Sequence, residues 1–471
     1  MRRDPTRFAV VLFALGLALR LVASFALAAE PVWDGHYYDF GARRIAGGFG
    51  YGDDIVRDGV SVFHPWCHYP VGYSAYLALF YRLFGADQGV AHVANGIVGA
   101  MLGVVTYLLA REALSEKRAK LAGALVAAHP GLVLYSALSM SEPLSALLVL
   151  ASFLVALKIG GARGVAFGAV VMGVAALVRP QGLLCAPFLA LAVRSTTRAR
   201  VGLAIAACVV AVVTVSPWTA RNCRVMDGCA LVSTNAGWNL AIGSFPRATG
   251  RFETLRSEDG CREVTGQVQQ DRCWLAYGLD HIEAAPGRWL ALVPAKLAYT
   301  FDHESFAVEY LREARPAAWP EDRRVAARGI LTALHRLFVA ASPLAFIALA
   351  LPKKGAPKKG MVQTALLAAL GLAAYAAFSA NAPTFWPLML VACALPWLPL
   401  PGRPPSHPAL LMAISLVATT ALAHAIFFGE DRYHVVATPV LCLLAAAALR
   451  APDTRAARTP EGVRAAGRSS S

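Results

Sequence analysis

Chemistry-bearing side chains recur along this chain in short polar stretches. The first reads Glu30-Pro31-Val32-Trp33-Asp34-Gly35-His36-Tyr37-Tyr38-Asp39 and follows directly on an apolar run. A carboxylate such as Asp34, set among aromatics, can take a proton from an attacking hydroxyl or amine. The same loop carries Asp53, Asp54 and Asp58, then His64-Pro65-Trp66-Cys67-His68-Tyr69-Pro70-Val71-Gly72-Tyr73. Further on stand Ser141-Glu142-Pro143, Arg179-Pro180-Gln181, Pro217-Trp218-Thr219-Ala220-Arg221-Asn222 and Gly429-Glu430-Asp431-Arg432-Tyr433-His434. Arginine forks match the oxygens of a phosphate. Each motif also has a structural explanation. Asp34 could cap a short helix. Glu142 followed by Pro143 is a good helix start. Arg179, Arg221 and Arg432 could snorkel to lipid headgroups. His36, His64 and His68 share their loop with Asp34 and Asp39 as metal-ligand types, but their spacing fits no standard zinc signature.

The segments that position these residues are apolar. The 471 residues are 57% hydrophobic and 15% charged, with a mean hydropathy of +0.51. Soluble proteins carry about 25% charged residues, so a soluble enzyme, a disordered chain and a disulfide-stapled secreted domain are excluded. The charge balance, 44 − 29 = +15, comes from basic clusters between apolar runs. That is a membrane-topology signal rather than a nucleic-acid one.

A spanning helix needs about 20 apolar residues. Runs at 8–29, 89–110, 120–137, 142–158, 163–178, 181–193, 200–217, 328–351, 361–380, 385–400, 408–428 and 434–450 give an all-α polytopic membrane protein of about twelve (11–13) spanning helices. The first run is read as a retained anchor, because it exceeds the about 7–15 residues of a signal-peptide core. Ala26-Leu27-Ala28 keeps cleavage as the competing reading.

The stretch Tyr69–Phe84 decides topology. If it lies in the outer interface, the clusters 111–120, 194–200, 353–359 and the Arg-rich tail all fall on the cytoplasmic side. Both termini are then cytoplasmic, and 30–88, 138–141, 179–180, 218–327, 381–384 and 429–433 are external. The chain divides into an N-terminal transmembrane module (1–217) whose first outer loop carries Asp34, a large outer loop or lid (218–327), C-terminal helices (328–450) and a disordered basic tail (451–471). Cys223, Cys229, Cys261 and Cys273 share the large loop, where an oxidising compartment suggests two disulfides. Near-neighbour pairing, Cys223–Cys229 and Cys261–Cys273, is expected. Cys67 is a leftover outer thiol, whereas Cys185, Cys208, Cys393 and Cys442 fall in apolar runs as packing residues. The apolar, aromatic stretch Trp289–Phe301 is expected at the interface or lining a lipid-tail groove, with Lys296 within reach of phosphate.

The order and side of these motifs resemble the GT-C class of polytopic lipid-linked-sugar glycosyltransferases, nearest the protein-mannosyltransferase-like and aminoarabinose-transferase-like (family 39-like) proteins. The resemblance rests on Asp34, His68-Tyr69-Pro70-Val71-Gly72-Tyr73, Ser141-Glu142-Pro143, Arg179-Pro180, Trp238-Asn239-Leu240-Ala241-Ile242-Gly243 and Asp431-Arg432-Tyr433. One departure is that the family's first-loop carboxylate is often doubled, whereas Gly35 follows Asp34. The resemblance implies transfer of a sugar from a polyprenyl-phosphate donor to a glycan, lipid or protein acceptor on the periplasmic face of a bacterial inner membrane. It implies an inverting displacement with Asp34 as base, since a leaving phosphate needs no proton and one carboxylate suffices. Arg432, Arg221, Arg179 and Lys296 would hold the phosphate. Glu142, Asp39 and His36 would orient the acceptor or a metal. The class admits a divalent metal ion without requiring one. Partners are then the lipid donor, the acceptor and membrane lipid, with no nucleic acid. The alternatives are a secondary transporter and a lipid-linked-glycan ligase. A transporter would place ionisable groups at the bilayer midplane and carry repeated halves, and neither is visible here.

Overall fold

The computed structural model describes residues 5–350, 359–379, 384–398 and 406–449. Most of the 353–359 cluster, the 381–383 turn and the 451–471 tail lie outside these.

The helices in chain order are α1 (Thr6–Ala26), α2 (Asp34–Ala46), α3 (Gly72–Phe84), α4 (Gln88–Ala113), α5 (Glu116–Ala128), α6 (Pro130–Leu134), α7 (Glu142–Ile159), α8 (Gly161–Val178) and α9 (Thr197–Val225). The stretch 218–327, expected as the outer loop, folds as α10 (Ala236–Ser244), α11 (Gln267–Ala284), α12 (Pro286–Ala291), α13 (Val293–Phe301) and α14 (Phe306–Ala314). The C-terminal part is α15 (Glu321–Ala350), α16 (Lys359–Phe378), α17 (Trp386–Ala394), α18 (Pro408–Ile426) and α19 (Thr438–Ala448). The chain is a multi-pass, helical membrane protein. Among the described residues seven helices are long and apolar enough to cross a bilayer: α1, α4, α7, α8, α9, α15 and α18.

Proline explains why several other predicted runs are broken, because it lacks the N–H that continues a helix. The run 120–137 becomes α5, α6 and a short 3₁₀ turn around Pro130. The run 181–193 winds as a 3₁₀ helix, Pro180–Ala192, containing Pro187. The last run divides into a 3₁₀ turn, Asp431–Val436, and α19. Pro217 does not end α9, which the sequence reading closes at 217. The carbonyl that Pro217 cannot engage, Val213 O, accepts instead from Ser216 Oγ at 2.7 Å. Arg221 and Asn222 therefore sit in the C-terminal turns of α9.

The first outer loop holds two 13-residue helices, α2 and α3. At about 20 Å each they are too short to cross a core of about 30 Å. Tyr73, Leu77 and Tyr81 of α3 pack on Tyr38 and Ala42 of α2, while Leu79, Leu83 and Phe84 face outward. Between the helices lies an antiparallel hairpin, β1 (Gly52–Arg57) and β2 (Val60–Pro65), which the all-α reading missed. Its signal was the Asp58-Gly59 pair, both at positive φ (52° and 80°), as a tight hairpin turn requires.

One buried cation ties the N-terminal helices together. Arg20 of α1 is fully buried and donates to the Val126 and Ala127 carbonyls at 3.0 and 2.7 Å. Those are last-turn carbonyls of α5, which have no partner within their own helix.

Candidate active site

Asp34 is the first residue of α2, preceded by Trp33 at φ 49°. That conformation is strained for a non-glycine residue and is held by the surroundings. The Trp33 ring lies edge-on to Tyr310 and tilted against Phe306 of α14. The Tyr310 hydroxyl accepts from Val32 N at 3.1 Å and fills the place where a Cβ on Gly35 would stand. A second carboxylate at 35 has no room, which accounts for the departure noted at that position.

Both Asp34 oxygens are engaged. Tyr69 OH donates to Oδ1 at 2.9 Å, and Arg432 Nη1 donates to Oδ2 at 2.6 Å. Burial raises the Asp34 carboxyl, but Arg432, the Tyr69 hydroxyl and His68 outweigh it and hold it below its ordinary value. Asp34 is therefore ionised at neutral pH.

Arg432 comes from the opposite end of the sequence, on the turn between α18 and α19. Its guanidinium lies over the Phe306 and Tyr433 rings, and its Nε is 2.7 Å from Glu430. Burial pushes Glu430 up to about 7, against the pull of Arg432 and with the help of Asp431, Asp34 and Glu142. Asp431 points the other way, accepting from Ser305 N and Phe306 N at the start of α14. Gly429 closes the turn by packing directly on the Lys296 backbone, and its N–H donates to Gly250 O at 2.8 Å.

Behind this pair stands another. Glu142, at the start of α7, is fully buried and accepts from Arg179 Nη1 at 2.8 Å. Arg179 also donates to Ser141 Oγ and lies over Tyr433. The 138–141 loop is held by Asn95, which donates to Leu138 O and accepts from Tyr73 OH.

The remaining expected residues are placed elsewhere. Arg221 donates to Trp66 O and Tyr51 O at 2.8 and 3.0 Å, so it clamps the first loop. Lys296 donates to Ile426 O at 3.0 Å under the Trp289 ring, and burial holds its ammonium down at about 8. Asp39 pairs with Arg43 at 2.6 Å and accepts from Tyr81 OH. His36 lies two positions beyond Asp34 on α2, on another helix face, exposed and stacked on Phe40. Cys223 is joined to Cys229 and Cys261 to Cys273. Cys67 is buried and unpaired.

A cavity of about 380 Å³ opens beside Tyr69 and His68. Its first-loop wall includes Tyr37 and Trp66, and its outer-loop wall includes Trp238, Asp271 and Trp274. Trp238 and Trp274 belong to a small core of the outer loop that also takes in Phe428 and Tyr433. The outer loop and the Arg432 turn thus form one packed unit. Aromatic walls with a few polar groups suit a ligand with apolar faces and hydroxyls.

The first-loop metal-ligand types do not converge. Arg432 and Tyr69 occupy the Asp34 oxygens, and His64 Nδ1 is 2.7 Å from Asp53. A cation at Asp34 would have to displace a guanidinium.

The sequence reading gave no site role to Glu430 or Tyr310, took Tyr69 only as an interfacial and motif residue, and weighed His68 only as a metal-ligand type. Tyr69 lies in a quoted motif, but its partner is 35 residues away in sequence, and nothing in the spacing indicates that pairing.

Residues 68–220 match the family model for dolichyl-phosphate-mannose-protein mannosyltransferases. No curated protein matches the chain. Among solved structures, the Archaeoglobus fulgidus oligosaccharyltransferase AglB, in complex with an inhibitory peptide and a dolichol-phosphate, is 14% identical, with a TM-score of 0.46 over 94% of this chain and 50% of that one. ArnT from Cupriavidus metallidurans, bound to undecaprenyl phosphate, is 15% identical, with a TM-score of 0.36 over 94% of this chain and 78% of that one. This chain spans about half the length of the archaeal enzyme. The family match supports the resemblance to GT-C glycosyltransferases drawn from the sequence.

Proposed function

We propose that the chain transfers a sugar from a polyprenyl-phosphate carrier to a glycan, lipid or protein acceptor at the outer face of a bacterial inner membrane, with both termini cytoplasmic. The observation that carries this reading is the Asp34–Arg432 contact, 2.6 Å long, with Tyr69 linking Asp34 to a cavity. In it a proton acceptor and a phosphate-binding fork are held together before any ligand arrives.

The reaction follows from that contact. The donor phosphate draws Arg432 from Asp34, because its two non-bridging oxygens can take both prongs of the fork, whereas Tyr69 leaves Arg432 one Asp34 oxygen. Without the cation beside it, the Asp34 carboxyl rises towards its ordinary value and becomes a better base. The acceptor O–H or N–H in the cavity then gives its proton to Asp34. Its lone pair attacks the anomeric carbon, and the bond from that carbon to the phosphate oxygen breaks on the opposite face. The configuration inverts, and polyprenyl phosphate leaves without a proton. Tyr69 holds the other Asp34 oxygen, while Glu142 and Arg179 fix Tyr433 beneath the fork. Arg221 and Lys296 act as positioning residues.

The test is mass spectrometry of surface glycolipids and glycoproteins from cells carrying the wild-type chain, D34N or neither. A saccharide present only with the wild-type chain is expected. Full restoration by D34N would remove the base assignment, and identical glycans in all three would remove the transfer reading.

A further inference from the structure

Away from Asp34, three buried side chains converge without satisfying one another. Glu304 lies between α13 and α14, His335 on α15 and His434 on the turn before α19. Their exposures are 3%, 0% and 0%, and their ligand-type atoms all lie within 4.8 Å of one another. His335 Nε2 lies 2.9 Å from Phe301 O, and His434 Nδ1 lies 2.7 Å from Thr300 O. Both carbonyls belong to the last turn of α13, where helix carbonyls need outside donors. Each imidazole therefore donates one N–H to the backbone, which fixes its tautomer and turns the other nitrogen's lone pair inward. The inward atoms, His335 Nδ1 and His434 Nε2, have no hydrogen-bond partner, and neither does Glu304 Oε2. Glu304 Oε2 and His434 Nε2 are 3.9 Å apart, and the two imidazoles stack with centroids 3.8 Å apart. His129 is also buried, but its Nδ1 accepts from Leu132 N at 3.4 Å, so it is not one of these free acceptors. Gly131 leaves the space that the Glu304 carboxylate occupies, since a Cβ there would collide with it.

Buried polar atoms are normally paired. Three acceptors facing one another, with no donor among them, call for a cation. We propose that Glu304, His335 and His434 bind a divalent transition-metal ion of the zinc type, in a site separate from the Asp34 centre. Two imidazole nitrogens and one carboxylate oxygen suit zinc and its neighbours rather than magnesium or calcium, which favour all-oxygen shells. The backbone carbonyls behind each histidine supply the outer contacts that such ligands need. Closing around an ion would bring the donor atoms to about 3.3 Å apart, as tetrahedral bonds of about 2.0–2.1 Å require.

The position gives the ion a task. Glu304 adjoins Ser305, whose N–H is held by Asp431, and His434 shares its 3₁₀ turn with Arg432. A bound ion would join the α13–α14 junction, α15 and the turn that carries Arg432. Its existence does not depend on the sugar-transfer reading.

The test uses the full chain in detergent without a polyhistidine tag, stripped with a chelator, reloaded with Zn²⁺ or Co²⁺ and dialysed. About one ion per chain is expected, with an X-ray absorption shell containing two imidazoles. H335Q and H434Q should each weaken binding by about tenfold or more, while D34N keeps the ion. An occupancy near zero, an all-oxygen shell, loss of the ion in D34N or its full retention in the H335Q/H434Q double variant would each overturn the proposal. The absorption measurement uses the wild-type chain, so misfolding of a variant leaves the proposal testable.

Discussion

Two arginine–carboxylate pairs, Asp34–Arg432 and Glu142–Arg179, both reach Tyr433 and differ in what surrounds them. Their contacts are nearly equal, 2.6 and 2.8 Å. In the first pair the carboxylate is 22% exposed and hydrogen-bonded to Tyr69 of the cavity wall, whereas in the second it is 0% exposed. Both guanidinium groups lie over the Tyr433 ring, at 5.0 and 5.3 Å. The Glu142 carboxylate is closed off from solvent, and this pair ties the start of α7 to the end of α8. In the proposed reaction the more exposed pair trades its carboxylate for an incoming anion. There the same chemistry serves as framework in one place and as machinery in the other, and exposure of the carboxylate makes the difference.

Removing the base breaks this comparison most directly. D34N should lower transfer by about 10²–10⁴-fold, the usual worth of a general base, without lowering the melting temperature of the detergent-solubilised protein. Turnover within a few-fold of wild type would show that Asp34 is framework as well. R179A should do the reverse. Stranding a buried carboxylate costs about 3–5 kcal/mol, so thermal unfolding should come markedly earlier, while the protein that remains folded still turns over. A stable R179A protein with no transfer would place Arg179 in the machinery.

These roles were unequally legible in the sequence. Apolar runs and basic clusters disclose a polytopic helical chain because the bilayer penalises every exception. Asp34 and Arg432 stood out because charged residues at span ends are few. Their contact, across 398 positions, belongs to the packing of the outer loop against the last turn, and no local pattern encodes it. Arg221 and Lys296 carried the right charge at the right depth. Which of four cations reaches the carboxylate was decided by backbone carbonyls, Trp66 O and Tyr51 O for Arg221 and Ile426 O for Lys296. The His335–His434 stack was hidden for the same reason, as its members lie on separate elements.

The cavity pair can be sharpened by keeping its charge and changing its shape. Lysine at 432 preserves the cation but loses the planar fork. R432K should weaken affinity for a polyprenyl-phosphate donor by about 10–100-fold, or about 1.4–2.8 kcal/mol. Binding titrations with undecaprenyl phosphate would measure this. Unchanged affinity would take the phosphate away from Arg432.

The smallest expected effect concerns Glu430, which touches the first pair and has no counterpart at the second. Burial raises its carboxyl from 4.5 to about 7, so it gains charge as the pH rises through neutrality. A new negative charge 2.7 Å from Arg432 Nε lowers the positive potential offered to a phosphate. Donor KM should therefore rise by a few-fold between about pH 6 and pH 8, since a partly exposed pair is worth about 0.2–1 kcal/mol. The stability sign is fixed as well. The folded chain keeps a proton that the unfolded chain releases between 4.5 and about 7, so this contribution is complete below that window and is lost as the pH climbs through it. E430Q cannot ionise and should flatten both profiles, with donor affinity highest relative to wild type on the alkaline side. Parallel profiles for the two proteins would mean that Glu430 does not titrate there, and that Arg432 answers to Asp34 alone.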